Sequence, residues 1–334
     1  MKAIILKNKN LVELGTFNDP VLKDDDVMIE VKYCGLCGSD LHKYEGRKTV
    51  RPLTYPAILG HEISGIVKNI GKNVKNFKVG DRVTADPNYA CGECYYCKHN
   101  LPHLCENSKG LVKGMADYVC CVEQNVYHIP DSLDLLPATL IEPISCCVHG
   151  INTLELHKED TLAIIGIGGI GSIMIQLAKL KGIKTIIALD IDDNKKEKAI
   201  KLGASLFINP LNENYLKEIN NLYINKIMEC SGDIKSLKTC MDIACKHATI
   251  VMFGLTKPEE TAELSVYDLT LKEINLKGSI VNLNGMEEAI DLLSQNKINT
   301  DLIISQVVTP EEMVQEIKEK QLIKNGKVIV KWDI

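Results

Sequence analysis

The sequence predicts an α/β protein of two domains, one of which contains a doubly wound parallel sheet. Its 334 residues are roughly twice the length of an average domain of about 150 residues. In the second half, short apolar strands alternate with amphipathic helices, and a glycine-rich turn joins one strand to one helix. Such alternation is typical of a parallel sheet that is covered by helices on both faces.

Each predicted element follows from a local pattern. Short runs rich in β-branched residues predict strands, and longer segments with an apolar stripe predict helices. The predicted strands are 27–33, 161–165, 184–190, 205–208, 225–230, 249–253, 274–281 and 327–331. The predicted helices are 172–181, 234–245, 284–295 and 310–320.

Composition and charge exclude several classes of protein. With 45% hydrophobic and 25% charged residues, the chain is expected to fold, and the formal net charge of −5 gives no general attraction to nucleic acid or anionic membranes. The N-terminal apolar run before Lys7 is too short for a signal peptide. No segment approaches the roughly 20 apolar residues of a membrane span. We therefore expect a cytoplasmic protein.

Four of the 13 cysteines form one local pattern, C-x2-C-x2-C-x7-C. They are Cys91, Cys94, Cys97 and Cys105. Four thiolates from one loop close a tetrahedral zinc site and leave no position for substrate, which predicts a structural zinc. An iron–sulfur cluster also takes four thiolates, and a set of buried thiols is the third interpretation.

A second group of possible metal ligands is mixed in type and comes from separate segments. It contains Cys37, His61, Glu62 and Glu142. Mixed Cys, His and carboxylate ligands suit a catalytic zinc that keeps one position open. Taken singly, each residue has an ordinary interpretation: Cys34 and Cys37 as a redox pair, His61 as a structural histidine, Glu142 as a surface carboxylate.

The glycine-rich turn predicts a dinucleotide site. It has the pattern Gly-x-Gly-x-x-Gly between a strand and a helix, where backbone N–H groups bind a pyrophosphate. The turn consists of Gly166, Ile167, Gly168, Gly169, Ile170 and Gly171.

Asp190 ends the next predicted strand and matches the acid that accepts hydrogen bonds from the adenosine ribose 2′-hydroxyl. Together with Asp192 and Asp193, it would repel a 2′-phosphate, so NAD is favoured over NADP. Lys195 and Lys196 weaken that preference.

In the order and approximate spacing of these motifs, the chain resembles the zinc-dependent medium-chain alcohol and polyol dehydrogenases. Sorbitol, galactitol-phosphate, butanediol and threonine dehydrogenases are the nearest types. The resemblance implies a GroES-like β-rich catalytic domain formed by residues 1–142 and 285–334. It also implies a Rossmann NAD-binding domain over residues 143–284, two zinc ions per chain, and a homodimer or homotetramer.

The resemblance also implies roles for individual residues. Cys37 and His61 match catalytic zinc ligands, and Glu62 and Glu142 match carboxylates that bind the metal directly or through its water. Three further residues match the surrounding machinery: Asp40 orients His61, Ser39 takes the substrate proton, and His42 passes it to solvent. The implied reaction transfers hydride from a secondary alcohol or polyol to NAD+ and gives the ketone.

The substrate is less defined than the reaction. Sorbitol-type members carry an Arg-Tyr pair that residues 278–285 lack, and Lys43, Arg47 and Arg51 suit either a phosphorylated substrate or a solvated basic face. Two other functions compete with the main interpretation. A zinc-free NADPH quinone or enone reductase of the same superfamily would lack the ligands at Cys37 and His61, and a zinc-ribbon interaction module would lack the dinucleotide turn.

Overall fold

The protein is described here by a computed structural model that covers residues 1–48, 53–110 and 113–332. The chain divides into two compact units, and the first is interrupted by the second. Unit 1 comprises Met1–Ser145, Asn282–Asn296 and Ile304–Ile334, and unit 2 comprises Cys146–Val281 and Lys297–Ile303. The architecture is of the mixed α/β class, as predicted.

The N-terminal part of unit 1 is rich in strands. They are β1 (Lys2–Asn8), β2 (Leu11–Thr16), β3 (Asp26–Gly35), β4 (Ala57–Ile58), β5 (Glu62–Ile70), β6 (Arg82–Ala85), β7 (Asn88–Tyr89), β8 (Lys109–Gly110), β9 (Tyr118–Val122) and β10 (Val126–His128). The helices of this part are α1 (Gly38–Tyr44), α2 (Tyr95–Lys98) and α3 (Leu135–Ala138). Helix α4 (Ile141–Thr153) begins in unit 1 and ends in unit 2.

Unit 2 is a parallel sheet with the strand order of a doubly wound fold. Its strands are β11 (Thr161–Ile165), β12 (Thr185–Leu189), β13 (Leu206–Ile208), β14 (Lys226–Glu229), β15 (Thr249–Met252) and β16 (Asn275–Gly278). Its helices are α5 (Gly169–Leu180), α6 (Lys196–Leu202), α7 (Tyr215–Ile219), α8 (Ser236–Ile243) and α9 (Val266–Leu271). The spatial order is β13-β12-β11-β14-β15-β16, which places the order reversal next to β11.

The chain then returns to unit 1 and completes its main sheet. The returning elements are α10 (Met286–Ser294), β17 (Ile304–Val308), α11 (Pro310–Glu319) and β18 (Lys327–Lys331). The sheet order is β10-β6-β5-β3-β18-β17, with β9 also paired to β3. Apolar side chains on β3, β5 and β18, such as Ile29, Ile63 and Val328, are fully buried in the core of this unit.

Two details differ from the sequence-based expectation. The strand predicted over 274–281 is observed only over Asn275–Gly278, and Val281 beyond it adopts a φ of 48° that a strand does not allow. The segment Lys297–Ile303 was expected in the catalytic domain, but it belongs to unit 2. The buried side chain of Gln176 holds it there by accepting from Asn299 N at 2.7 Å.

No helix in the three described ranges combines the length and the apolar character that crossing a membrane requires.

Candidate catalytic metal site and dinucleotide site

Four cysteine thiols converge in the loop between β7 and β8. The sulfur atoms of Cys91, Cys94, Cys97 and Cys105 all lie within 4.8 Å of one another. Hydrogen bonds from the Glu93 backbone and the Asn107 side chain lower the pKa of Cys91 to about 6, which favours a thiolate. This arrangement fits the four-thiolate zinc site that the spacing predicts.

A second cluster of possible ligands lies at the start of β5. The ligand atoms of Cys37, His61 and Glu62 all lie within 4.8 Å of one another. Cys37 is the residue before α1, and Gly60, with φ 87°, turns the chain so that His61 and Glu62 follow at the N-terminal end of β5. A thiol, an imidazole and a carboxylate thus meet at one point, as a catalytic zinc site requires.

Asp40 lies beneath this cluster and is completely buried. Its Oδ1 accepts hydrogen bonds from Gly60 N and Lys43 Nζ, both at 3.1 Å, and its Oδ2 lies 3.7 Å from His61 Nδ1. Burial raises the pKa of Asp40, but the charges of Lys43 and His61 outweigh burial and hold it well below its usual range. An ionised Asp40 is therefore available to orient the imidazole, a role that metal-binding histidines commonly need.

Glu62 is paired with a residue that sequence reasoning did not identify. Its Oε1 accepts a hydrogen bond from Lys327, the first residue of β18, and both side chains are buried. Its Oε2 is buried and has no hydrogen-bond partner within the described ranges. A buried carboxylate oxygen in that state fits a metal ligand, because it otherwise costs free energy. The only sequence signal was a lysine at the edge of an apolar strand.

Glu142 is close to the cluster but is not one of the three converging residues. It lies in the first turn of α4 and is 6% exposed. Burial, with a contribution from the charge of Glu62, raises the pKa of Glu142 to about 7, although His61 and Lys327 oppose the shift. Near neutral pH, this carboxyl group is therefore present in both its protonated and its ionised form.

Ser39 and His42 lie on the same helix, α1, three residues apart and hence on one face. Both are half-buried. Burial and the charges of Arg47 and Lys320 lower the pKa of His42, so its imidazole is neutral at neutral pH and able to accept a proton.

The basic residues Lys43, in the last turn of α1, and Arg47, just after it, are engaged in ion pairs. Lys43 Nζ lies 3.1 Å from Asp40 Oδ1, and Arg47 contacts the carboxylate of Glu45. Their charges are already balanced within unit 1, which favours the solvated, paired interpretation over phosphate recognition. Arg51 lies outside the described residues.

In unit 2, the glycine-rich turn joins β11 to α5, as predicted. Gly166 adopts φ 88°, and a Cβ at Gly171 would lie only 2.0 Å from Gly166 O. Gly168 is the residue before α5, and a Cβ there would meet nothing within 4 Å. The turn is therefore tight on its inner side and open at the helix N-terminus, where Gly169 and Ile170 offer N–H groups to an anion.

Asp190 directly follows β12, the strand next to β11, and is 7% exposed. Its Oδ2 accepts from Ile167 N at 2.7 Å and lies 2.9 Å from Lys195 Nζ, and its Oδ1 accepts from Asp192 N at 3.0 Å. The acid therefore touches the glycine turn directly, and Lys195 partly neutralises it.

A polar cavity of about 270 Å³ lies within unit 1. Side chains with hydroxyl, carboxyl or amide groups line much of it, including those of Asp86, Asn88, Tyr127 and Asn282. The amide nitrogen of Asn282 is buried and lacks a hydrogen-bond partner among residues 1–48, 53–110 and 113–332. No lysine or arginine is among the described residues of its lining.

One electrostatic influence and one close approach place this cavity near the first turn of α4. The charge of Asp86 contributes to the raised pKa of Glu142. Gly285, just beyond the cavity residues Asn282 and Asn284, approaches α4 so closely that a Cβ would lie 2.6 Å from Ser145 O. The cavity is therefore a neighbour of the buried carboxyl group of Glu142.

Comparison with known families agrees with both halves of the chain. Residues 23–131 match the alcohol dehydrogenase GroES-like domain. Residues 169–295 match the zinc-binding dehydrogenase domain.

Individual relatives cover nearly the whole chain. D-arabitol-phosphate dehydrogenase of Enterococcus avium is 34% identical over 86% of this chain and 84% of its own. A solved structure from Sinorhizobium meliloti 1021, named as a zinc-binding dehydrogenase and bound to NADP, has a TM-score of 0.92 and 29% identity over 99% of both chains. Another, from Escherichia coli CFT073, is named as a short chain alcohol dehydrogenase and carries NADH; its TM-score is 0.91, with 27% identity over 99% of both chains. The chain belongs to the zinc-type medium-chain alcohol and polyol dehydrogenase family.

Proposed function

We propose that this protein oxidises a secondary alcohol or polyol to the ketone, with NAD+ as hydride acceptor and two zinc ions per chain. The observation that carries the proposal is the convergence of Cys37, His61 and Glu62, with one carboxylate oxygen buried and without a hydrogen-bond partner in the described chain. The glycine turn with Asp190 supplies the second requirement, a dinucleotide site.

Cys37, His61 and Glu62 would hold the catalytic metal, with Glu142 close by. When bound, zinc supplies a Lewis acid that lowers the pKa of a hydroxyl group by several units. Asp40 keeps His61 oriented. Ser39 would take the hydroxyl proton and pass it to His42. The lowered pKa of His42 keeps its imidazole uncharged at neutral pH, and an uncharged imidazole can accept a proton.

NAD is the proposed cofactor form. A carboxylate at Asp190, with Asp192 and Asp193 after it, accepts hydrogen bonds from a ribose hydroxyl and disfavours a 2′-phosphate. The ion pair with Lys195 reduces this discrimination, so NADP is expected to be a poorer but measurable cofactor.

The polar cavity favours a neutral polyol over a phosphorylated one. Its amide groups match the hydrogen-bonding pattern of successive hydroxyls, and the unpartnered nitrogen of Asn282 is a donor that a hydroxyl would satisfy. Asp86 would repel a phosphate there, and Lys43 and Arg47 are already paired.

The remaining expectations concern the setting of the enzyme. A reducing cytoplasm keeps the ligand thiols of both clusters reduced. We also propose a homodimer or homotetramer, which is expected from the family resemblance.

The direct test is an assay of NADH formation over a panel of secondary alcohols, polyols and phosphorylated polyols. We expect neutral polyols or diols to react, chelator to abolish the reaction, and added zinc to restore it. Reduction of quinones by NADPH, with chelator having no effect, would instead identify a zinc-free reductase. Failure of every alcohol with a zinc-loaded, folded enzyme would refute the proposal.

A further inference from the structure

Lys327, at the start of β18, has its ammonium group inside unit 1, since only 5% of the residue is exposed. An ammonium group is costly to remove from water unless other groups compensate for its charge. Its Nζ contacts Oε1 of Glu62 and donates to Leu36 O at 3.2 Å. The buried charge is therefore balanced by the carboxylate of a proposed metal ligand.

The two oxygens of Glu62 have different surroundings. Oε1 accepts from Lys327, whereas Oε2 is buried and finds no hydrogen-bond partner in the part of the chain that the structure describes. Gly35 provides the space for Oε2, because a Cβ at that position would lie 2.2 Å from it. One carboxylate is thus shared between an ammonium group and the point where Cys37 and His61 converge.

A cation beside a metal ligand weakens the hold of that ligand on the metal. The ammonium group competes for the same negative charge and also repels a second cation. Glu62 is consequently a weaker ligand than a carboxylate without such a neighbour. A weakly held ligand is easier to displace when a substrate oxygen needs a position at the metal.

We propose that Lys327 is a positioning residue that restrains Glu62, so that this carboxylate binds the catalytic metal weakly and yields to substrate. The inference rests on the metal site of the proposed function. Without the ammonium group, the carboxylate of Glu62 would bind the metal without competition. Zinc would then be held more tightly, and substrate would displace the carboxylate less readily. A lysine that served only to stabilise the fold would have the opposite effect on zinc, because its loss would loosen the site.

The test measures zinc affinity and turnover separately in the full-length Lys327→Met variant. Competition with a chromophoric chelator gives the zinc dissociation constants, and a Cys37→Ser variant identifies which of them belongs to this site. In Lys327→Met we expect that constant to fall by about tenfold because the competing charge is gone, while kcat/KM for the alcohol also falls. When cobalt replaces zinc at this site, the absorption spectrum of Lys327→Met should change less on adding substrate than that of the wild type.

Lys331→Met is the matched control, because Lys331 lies on the same strand with its side chain exposed. It should leave the zinc constants and turnover unchanged. Lys327→Gln is the second neutral variant if Lys327→Met folds poorly, and unfolding curves with zinc bound show which variants are folded. In a Glu62→Gln background, Lys327→Met should tighten zinc binding much less, because only the direct repulsion between the ammonium group and the metal is then removed.

Unchanged or weaker zinc binding in both folded neutral variants would overturn the proposal. So would a tightening in the Glu62→Gln background as large as the one in the wild-type background. Zinc affinity is measured without turnover, so a wild-type protein that binds zinc but oxidises no alcohol would refute the proposed function alone.

Discussion

At the scale of single residues, the most informative group is the carboxyl of Glu142. Its pKa is raised to about 7, chiefly by burial and next by the charge of Glu62. An exposed glutamate in an unfolded chain has a pKa of about 4.3. Between these values the folded state binds a proton that the unfolded state has already lost. Stability that depends on this proton is therefore present at low pH and declines as pH rises towards about 7.

We predict that Glu142→Gln removes this pH dependence in metal-free protein. Urea unfolding in the presence of chelator should show the wild type losing on the order of 2 kcal/mol between about pH 5 and about pH 8 relative to the variant. The glutamine keeps the shape of the side chain but does not titrate. Parallel curves for the two proteins would show that Glu142 is not responsible.

Asp190 is the residue that should decide the cofactor form. Asp190→Ala removes the charge that disfavours a 2′-phosphate and frees Lys195, whose Nζ lies 2.9 Å from that carboxylate. We predict that the ratio of kcat/KM for NADP+ to that for NAD+ rises by about tenfold or more, equivalent to about 1.4 kcal/mol.

Asp193→Ala is the control for this prediction, because Asp193 is exposed and has the same charge. Steady-state kinetics with both cofactors should show a much smaller rise of this ratio than in Asp190→Ala, because solvent screens an exposed charge. An equal change in both variants, or none in Asp190→Ala, would remove Asp190 from cofactor selection.

The sequence could predict the site features whose residues lie close together along the chain, but not those whose residues lie far apart. Asp190 and the glycine turn follow from neighbouring residues, and the cysteine spacing is equally local. The Lys327–Glu62 pair joins positions 265 residues apart, and it forms only because β18 lies beside β3, which lies beside β5. No local sequence pattern predicts that a lysine at the start of a strand is buried.

At the scale of elements, the strand–turn–helix of β11 and α5 combines packing and binding in one short segment. Gly171 has no room for a side chain, because a Cβ would lie 2.0 Å from Gly166 O. Gly168 has open space in front of α5. The two glycines should therefore fail in different ways when they are replaced.

We predict that Gly171→Ala lowers the free energy of unfolding by about 1 to 3 kcal/mol through overpacking. Gly168→Ala should leave unfolding unchanged but weaken NAD+ binding by roughly tenfold, because its methyl group occupies the approach of the pyrophosphate. Denaturant curves and cofactor titration separate these effects. The assignment is wrong if Gly168→Ala binds NAD+ as tightly as the wild type does.

Element boundaries were less predictable than element types. The helix over 310–320 is found as Pro310–Glu319, where Thr309 accepts from Glu312 N and Glu312 accepts from Thr309 N. Such a capping box can be read from the sequence. The end of β16 could not be, since Val281 adopts φ 48° although valine disfavours that region.

At the scale of the whole molecule, the first unit is completed by residues from both sides of the second. Strand β18 returns to pair with β3 and brings Lys327 to Glu62, so the charge balance of this candidate metal ligand depends on the C-terminal segment. The family resemblance implied an interrupted domain. The motifs did not indicate that Lys297–Ile303 belongs to unit 2, because its attachment through Gln176 is a tertiary contact.

The two ligand clusters should have different tasks, catalysis at Cys37 and structure at the four-cysteine loop. The most direct measurement is zinc content per chain, taken together with turnover, in the wild type, Cys37→Ser and Cys94→Ser. We predict about two zinc ions in the wild type and about one in Cys37→Ser, which should stay folded but lose nearly all activity. Cys94→Ser should lose the other zinc and, with it, stability. A folded Cys37→Ser protein that retained two zinc ions and full turnover would contradict the account.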